Sequence, residues 1–204
     1  MPLSTGQIVS QRYRVIRILG KGGYGAVYLV EDTRLFGRQV GLKESFDNSP
    51  EAKQQFTIEA QILAKVVHNS LPRVSDSFVD STGHLFLVMD YVEGNDRSDI
   101  VQRGNVPEAQ AINWMSEICE AVGFLDNLNP PIIHRDVKPH NIKIRRDGHA
   151  VLVDFGIAKL YNPKQTARIT KAISSGFSPP EQYGGGTDHR LRMCTRPARR
   201  FTAR

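Results

Sequence analysis

A chain of 204 residues, 40% hydrophobic and 24% charged, has enough apolar content for one or two modest domains and is not a disordered tail, a collagen or a disulfide mini-protein. No run approaches 18 apolar residues and Met1 to Arg12 lacks an apolar stretch behind a basic flank, so no membrane-spanning segment and no secretory leader is expected. The formal charge of +6 is uneven, because residues 184–204 hold six arginines against Asp188, a tail of +5 that leaves +1 for the rest.

In chain order, Tyr13, Val15 and Ile18-Leu19 roughly alternate with Arg12, Arg14 and Arg17, which predicts a strand with one wet face. The glycine-rich run Gly20 to Gly25 separates it from a second strand, Ala26 to Val30, and Val40 to Glu44 is a short third one. Ser49-Pro50 is a helix start, with serine as N-cap and proline in the first turn, and the helix is expected to reach about Val66. His84 to Val92 reads as another strand, ending in the polar, linker-like Glu93 to Asp96. Pro107 then opens a helix with Ile112, Met115, Ile118, Cys119, Val122 and Leu125 on one stripe. Cys119 is expected there as a small core residue, consistent with a reducing, cytoplasmic location. Asn129-Pro130-Pro131 stops the helix. Ile142 to Ile144 and Val151 to Val153, around Asp147-Gly148, read as a hairpin with a two-residue turn.

Four groupings carry chemistry. Gly20, Gly22 and Gly25 join two strands, so the backbone there can approach a ligand and point N–H groups at phosphate; alone, such a hairpin can also be only a turn. Glu59 falls on the apolar stripe Ala52, Phe56, Leu63 and Val66, where a carboxylate either reaches out to water or pairs, and Lys43 at the end of an apolar strand is the candidate partner. His134 to Asn141 packs a base, Asp136, a cation, Lys138, and a neutral oxygen ligand, Asn141, within six residues. Asp154-Phe155-Gly156 follows the last apolar strand. With a two-residue turn at Asp147-Gly148, Asn141 would lie opposite Asp154 with Cα atoms roughly 4.5–5.5 Å apart, a pair suited to Mg²⁺.

Taken together these residues resemble the eukaryotic-like protein kinase family, in its bacterial serine/threonine branch, from about Tyr13 to Tyr183. The resemblance implies an α+β, bilobal fold: an N-terminal segment (1–11), an antiparallel-sheet lobe (12–93), a partial helical lobe with catalytic and activation loops (94–183), and a basic tail foreign to the family (184–204). It implies ATP and Mg²⁺ as ligands. Gly20, Gly22, Gly25 and Val27 match the phosphate-covering loop, and Lys43, braced by Glu59, the lysine on the α- and β-phosphates. Leu19 and Val27 would roof the adenine, with Met89 as gatekeeper and the backbone of Asp90 to Val92 meeting the base. Asp136 matches the catalytic base, Lys138 the lysine that offsets the transferring charge, and Asn141 and Asp154 the metal ligands. Ser178 to Glu181 stands where the family has Ala-Pro-Glu. Arg135 suggests an activation loop ordered by phosphate, with Thr166, Thr170, Ser174 and Ser175 as acceptors in possible autophosphorylation. Protein serine or threonine hydroxyls would be the substrates; the alternative is an ATP-binding but catalytically silent module. Two departures stand out: Gly41 replaces an alanine of the adenine pocket, and Lys143 falls where the family has an apolar floor.

The arginine-rich tail has no helical stripe, and without aromatic interleaving no nucleic-acid partner is expected. Joining the third base of each codon from Leu191 to the first two of the next permits Ser-Asp-Val-Tyr-Ala-x-Gly-Ala-Thr-Leu-Tyr, with Val forced at Met193–Cys194. That string resembles the family's next helix. The expectation is therefore a reading frame that slips near Asp188, the alternative being a natural divergent tail, and a chain truncated within the family domain, with low stability and weak activity.

Overall fold

The computed structural model describes residues 2–23, 25–96, 106–129, 131–134, 136–153 and 159–160, the side chains of Gln55, Glu59, Asn95, Asp96, Ile133, Lys159 and Leu160 excepted. Several expectations lie outside the described residues: the Glu59 side chain, Arg135, Asp154-Phe155-Gly156, the acceptors at 166–175, Ser178 to Glu181, and the tail at 184–204.

The first part is a six-stranded antiparallel sheet. In chain order its strands are β1 (Ile8–Val9), β2 (Tyr13–Lys21), β3 (Gly25–Asp32), β4 (Arg38–Ser45), β5 (Val74–Val79) and β6 (Leu85–Asp90), arranged β1-β2-β3-β4-β6-β5. β6 lies between β4 and β5, and Leu85 to Met89 are all buried, which is why that strand reads as an unbroken apolar run. β5 escaped the sequence pattern because Ser75, Asp76 and Ser77 dilute its apolar content. Helix α1 (Pro50–Leu63) is capped by Ser49, whose Oγ accepts the Ala52 N–H at 3.2 Å, with Pro50 in its first turn. It stops three residues before the expected Val66, which is buried beyond the helix end.

One face of the sheet closes over Tyr13, Tyr28, Leu42, Phe86 and Val88, with Val9 and Leu3 packed against them. Leu3 and Val9 thus anchor the N-terminal segment to this lobe. The second core joins the two parts of the chain: Ala60 and Leu63 of α1, Leu87 and Met89 of β6, and Leu125 and Leu152 from the second part.

In that second part, β7 (Asn95–Asp96) pairs with β9 (Ile142–Ile144), so the polar stretch after Glu93 is a paired strand and not a free linker. Gly94 is jammed against β9, and a Cβ there would sit 2.3 Å from the Ile144 carbonyl oxygen. Helix α2 (Glu108–Asp126) buries Trp114, Ile118, Ala121 and Leu125. This stripe is rotated from the expected one: Ile112 and Cys119 are exposed. Trp114 and Ala121 complete the i, i+4, i+7, i+11 face, and the indole outweighs the smaller Cys119 in choosing it. β8 (Ile132–Ile133) pairs with β11 (Lys159–Leu160).

β9 and β10 (Ala150–Leu152) form the expected hairpin in a different register. Ile142 pairs with Leu152, Lys143 with Val151 and Ile144 with Ala150. The loop has three residues, Arg146 to Gly148, because Gly148 takes φ +88° and adds a bulge. Asn141 consequently faces Val153, whose N–H donates to its carbonyl oxygen at 2.8 Å, and not Asp154.

Candidate functional site

The upper wall of the site comes from the sheet. β2 runs through Gly20 to Lys21, and Gly22 N–H donates to the Gly25 carbonyl at 2.9 Å. The glycines differ in kind. A Cβ at Gly25 would lie 2.2 Å from the Glu44 carbonyl oxygen, so strand pairing itself demands glycine there. At Gly20 and Gly22 a Cβ would meet nothing within 4 Å, which leaves that backbone open to a ligand. Lys43 sits in β4 between Val27 of β3 and Leu87 of β6. Gly41 pairs with Met89, and the absent Cβ would lie 3.3 Å from the Met89 Cγ, so the methionine occupies the room that an alanine would take.

The lower wall is the segment after β8. His134 is buried, Lys138 is extended, and Pro139–Asn141 forms a 3₁₀ turn. Asp136 Oδ2 accepts from Lys138 Nζ and from Asn141 Nδ2, both at 2.8 Å. Asn141 Nδ2 also donates to the Asp136 carbonyl oxygen at 2.8 Å. Both hydrogens of the Asn141 amide are thus used inside the loop, which leaves Oδ1 as the atom for a ligand. A buried neutral oxygen suits a hard cation such as Mg²⁺, and on this observation the residues present fit that metal.

The two walls enclose a cavity of about 360 Å³. Of the predicted residues it brings together Leu19, Gly20, Val27, Lys43, Met89, Asp90, Val92 and Asn141. Gly22 and Gly25 do not line it, and Asp136 and Lys138 adjoin it through their bonds to Asn141. Lys143 lines it, as the sequence expects of the floor position. Arg17 and His140 also line it and lie beyond the sequence expectation; β2 shifts register between Val15 and Arg17, so plain alternation from Tyr13 and Val15 puts Arg17 on the opposite face. The described lining residues include the cations Arg17, Lys43 and Lys143 and the carboxylate Asp90, which Arg38 holds at 2.8 Å. Such a cleft attracts a polyanion. No helix among the described residues is long and apolar enough to cross a membrane.

Comparison with known proteins bears on the family and the fold. The family model described as "Protein kinase domain" matches residues 13–190. Serine/threonine-protein kinase pkn2 of Myxococcus xanthus is 33% identical over 194 residues, covering 90% of this chain and 23% of that protein. PrkC of Bacillus subtilis is 32% identical, covering 89% of this chain and 28% of that protein, and PknB of Mycobacterium leprae is 35% identical, covering 90% and 30%. The chain thus spans about a quarter to a third of the length of these curated relatives. The crystal structure of the Mycobacterium tuberculosis PknI kinase domain superposes with a TM-score of 0.64 at 26% identity, covering 76% of this chain and 63% of that one, so the α+β fold with its antiparallel-sheet lobe is that of a protein kinase. A family model over most of the chain, relatives that are bacterial serine/threonine kinases and a shared fold lead to one assignment: this chain belongs to the protein kinase domain family.

Proposed function

We propose that the chain transfers the γ-phosphoryl group of ATP to a serine or threonine hydroxyl of a protein, with Mg²⁺ as the metal, in the cytoplasm. The observation that carries this reading is the hydrogen-bonded triangle of Asp136, Lys138 and Asn141 beside a cationic cleft that contains Lys43. A carboxylate at 13% side-chain exposure, bonded to a lysine at 25%, suits a base that still reaches a macromolecular hydroxyl.

In this reading Asp136 aims the acceptor hydroxyl and takes its proton. The hydroxyl oxygen bonds to the γ-phosphorus as the bond to the β–γ bridging oxygen breaks, and ADP leaves. Lys138 offsets charge on the transferring oxygens, and Lys43, with Glu59 as brace, holds the α- and β-phosphates. Gly20, Gly22 and Gly25 cover the phosphates, and the backbone of Asp90 to Val92 meets the base below Leu19 and Val27. Asn141 Oδ1 and Asp154 would hold the metal. Magnesium supplies neutralisation of phosphate charge when bound. The names of the relatives support a protein serine or threonine as acceptor, and Thr166, Thr170, Ser174 and Ser175 are acceptors within the chain itself.

The test is transfer of radiolabelled γ-phosphate to a generic basic protein. The chain is expected to label it weakly, and Asp136→Asn to reduce the rate by about 10²–10⁴-fold. Nucleotide binding without any transfer would make the chain a silent nucleotide-binding module, and no binding would end the reading.

A further inference from the structure

We infer that Trp114 and Glu117 of α2 are positioning residues for Asn141: they clamp the β9–β10 hairpin in the register that presents this amide to the metal. The inference rests on the nucleotide-binding reading above.

The hairpin has only three paired positions, too short to fix its own register. Two loops compete for it. A two-residue turn at Asp147-Gly148, which the sequence favours, would slide one strand by one residue and set Asn141 against Asp154. The three-residue loop sets Asn141 against Val153. Because side chains alternate between faces, that one-residue difference reverses every cross-strand relationship.

Helix α2 decides between them at the turn. The Trp114 indole N–H donates to the Gly148 carbonyl at 2.8 Å, and this side chain is among the most buried of the helix. Glu117 Oε2 accepts the Ala150 N–H at 2.7 Å, and its Oε1 lies 2.7 Å from His149 Nδ1. Three consecutive hairpin residues, 148 to 150, are therefore held by two side chains one helical turn apart. At the other end the same strands place Asn141, whose carbonyl bonds Val153 N–H while its side-chain amide bonds Asp136. A slip would break the Gly148 and Ala150 bonds together, so the clamp and the orientation of Asn141 stand or fall as a unit. Binding energies that share one such element are reciprocal: a metal held at Asn141 must tighten the hairpin.

The experiment uses the full chain and a fluorescent ATP analogue, titrated with and without Mg²⁺. Trp114→Phe keeps the packing and removes the indole N–H; Glu117→Gln keeps one acceptor and Glu117→Ala keeps none. The Mg²⁺ concentration for half-maximal effect should rise about five- to tenfold in Trp114→Phe and Glu117→Ala and less in Glu117→Gln. Metal-free nucleotide affinity should stay within about twofold in all three. Tyr28→Phe, which loses a hydrogen bond on the far face of the sheet, should lower stability without moving the Mg²⁺ dependence. Hydrogen exchange of the wild-type peptide 142–153 gives a second readout that needs no variant. Adding Mg²⁺ to the nucleotide complex should slow its exchange by at least about fivefold. Unchanged Mg²⁺ dependence in the variants, or unchanged exchange in the wild type, overturns the clamp while leaving nucleotide binding intact. A wild-type chain that binds no nucleotide with Mg²⁺ overturns both readings.

Discussion

Tyr28 donates a 2.9 Å hydrogen bond to Glu44, a carboxylate with no solvent exposure that follows Lys43 in β4 and points to the opposite face of the sheet. His84 Nδ1 lies 3.0 Å from the other Glu44 oxygen, and the Leu3 N–H donates to the Tyr28 hydroxyl at 3.1 Å. A polar chain thus runs from the N-terminal segment, through an apolar core, to the strand that carries Lys43. Buried polar groups of this kind are costly to leave unpaired.

Glu44→Ala should therefore cost about 2–4 kcal/mol, combining an orphaned phenol with a cavity. Tyr28→Phe should cost about 1 kcal/mol. Urea unfolding of both variants checks this; a Glu44→Ala protein within about 0.5 kcal/mol of wild type would mean that the network contributes nothing.

A second polar cluster contributes to the pH dependence of stability. The Arg12 guanidinium bonds both oxygens of Asp32, at 2.9 and 2.6 Å, and holds that carboxyl below the usual carboxylate range against the opposing effect of burial. Burial, and then the acceptor Asp76 at 2.8 Å, push the Tyr13 phenol up. A depressed carboxyl gives stability above about pH 4 that is lost as pH falls through its folded-state value, and a raised phenol gives stability below about pH 10 that is lost as pH rises. The unfolding midpoint should thus fall on both limbs, and Asp32→Asn should flatten the acid limb only. An acid limb equally steep in Asp32→Asn would remove Asp32 from the account.

Cys119 supplies a simple check on helix α2. It is exposed, so Cys119→Ser should change stability by less than about 0.5 kcal/mol. A buried small residue replaced by a hydroxyl would cost more than 1 kcal/mol. Guanidinium unfolding of the variant separates the two.

Much of this was legible in the sequence because it follows from local chemistry. Ser49-Pro50 caps α1 wherever α1 packs, and the glycine run must turn. The order of motifs from Gly20 to Asn141 announced the cleft, since no solvated loop needs that set of groups. What failed depended on partners distant in the chain. The helix stripe was misassigned because Ile112 and Cys119 are as apolar as their neighbours, and only the fit of Trp114 against Gly148 picks the face. The hairpin register differs by one because Asp147-Gly148 by itself favours a two-residue turn, and the choice of the three-residue loop lies with Glu117 and Trp114 on another element. Arg17 in the cleft is out of reach of simple alternation, because β2 shifts register between Val15 and Arg17.

Gly25 and Gly22 look equivalent in the motif but differ in what surrounds them. Gly25→Ala drives a methyl to 2.2 Å from the Glu44 carbonyl. Backbone cannot yield as a side chain can, so β3 and β4 must part at Gly25–Ser45 and Ala26–Glu44. The cost should be about 2 kcal/mol or more, in line with overpacking elsewhere. Gly22→Ala meets nothing within 4 Å, so stability should stay within about 0.5 kcal/mol. In the proposed reading, where this turn covers the phosphates, its effect falls on the ligand. ATP affinity should fall severalfold in Gly22→Ala while adenosine affinity stays unchanged. Thermal unfolding paired with nucleotide and nucleoside titrations reads both variants. Equal loss of stability in the two would show that the turn is one packed unit, and equal loss of ATP and adenosine binding in Gly22→Ala would move the phosphates away from it.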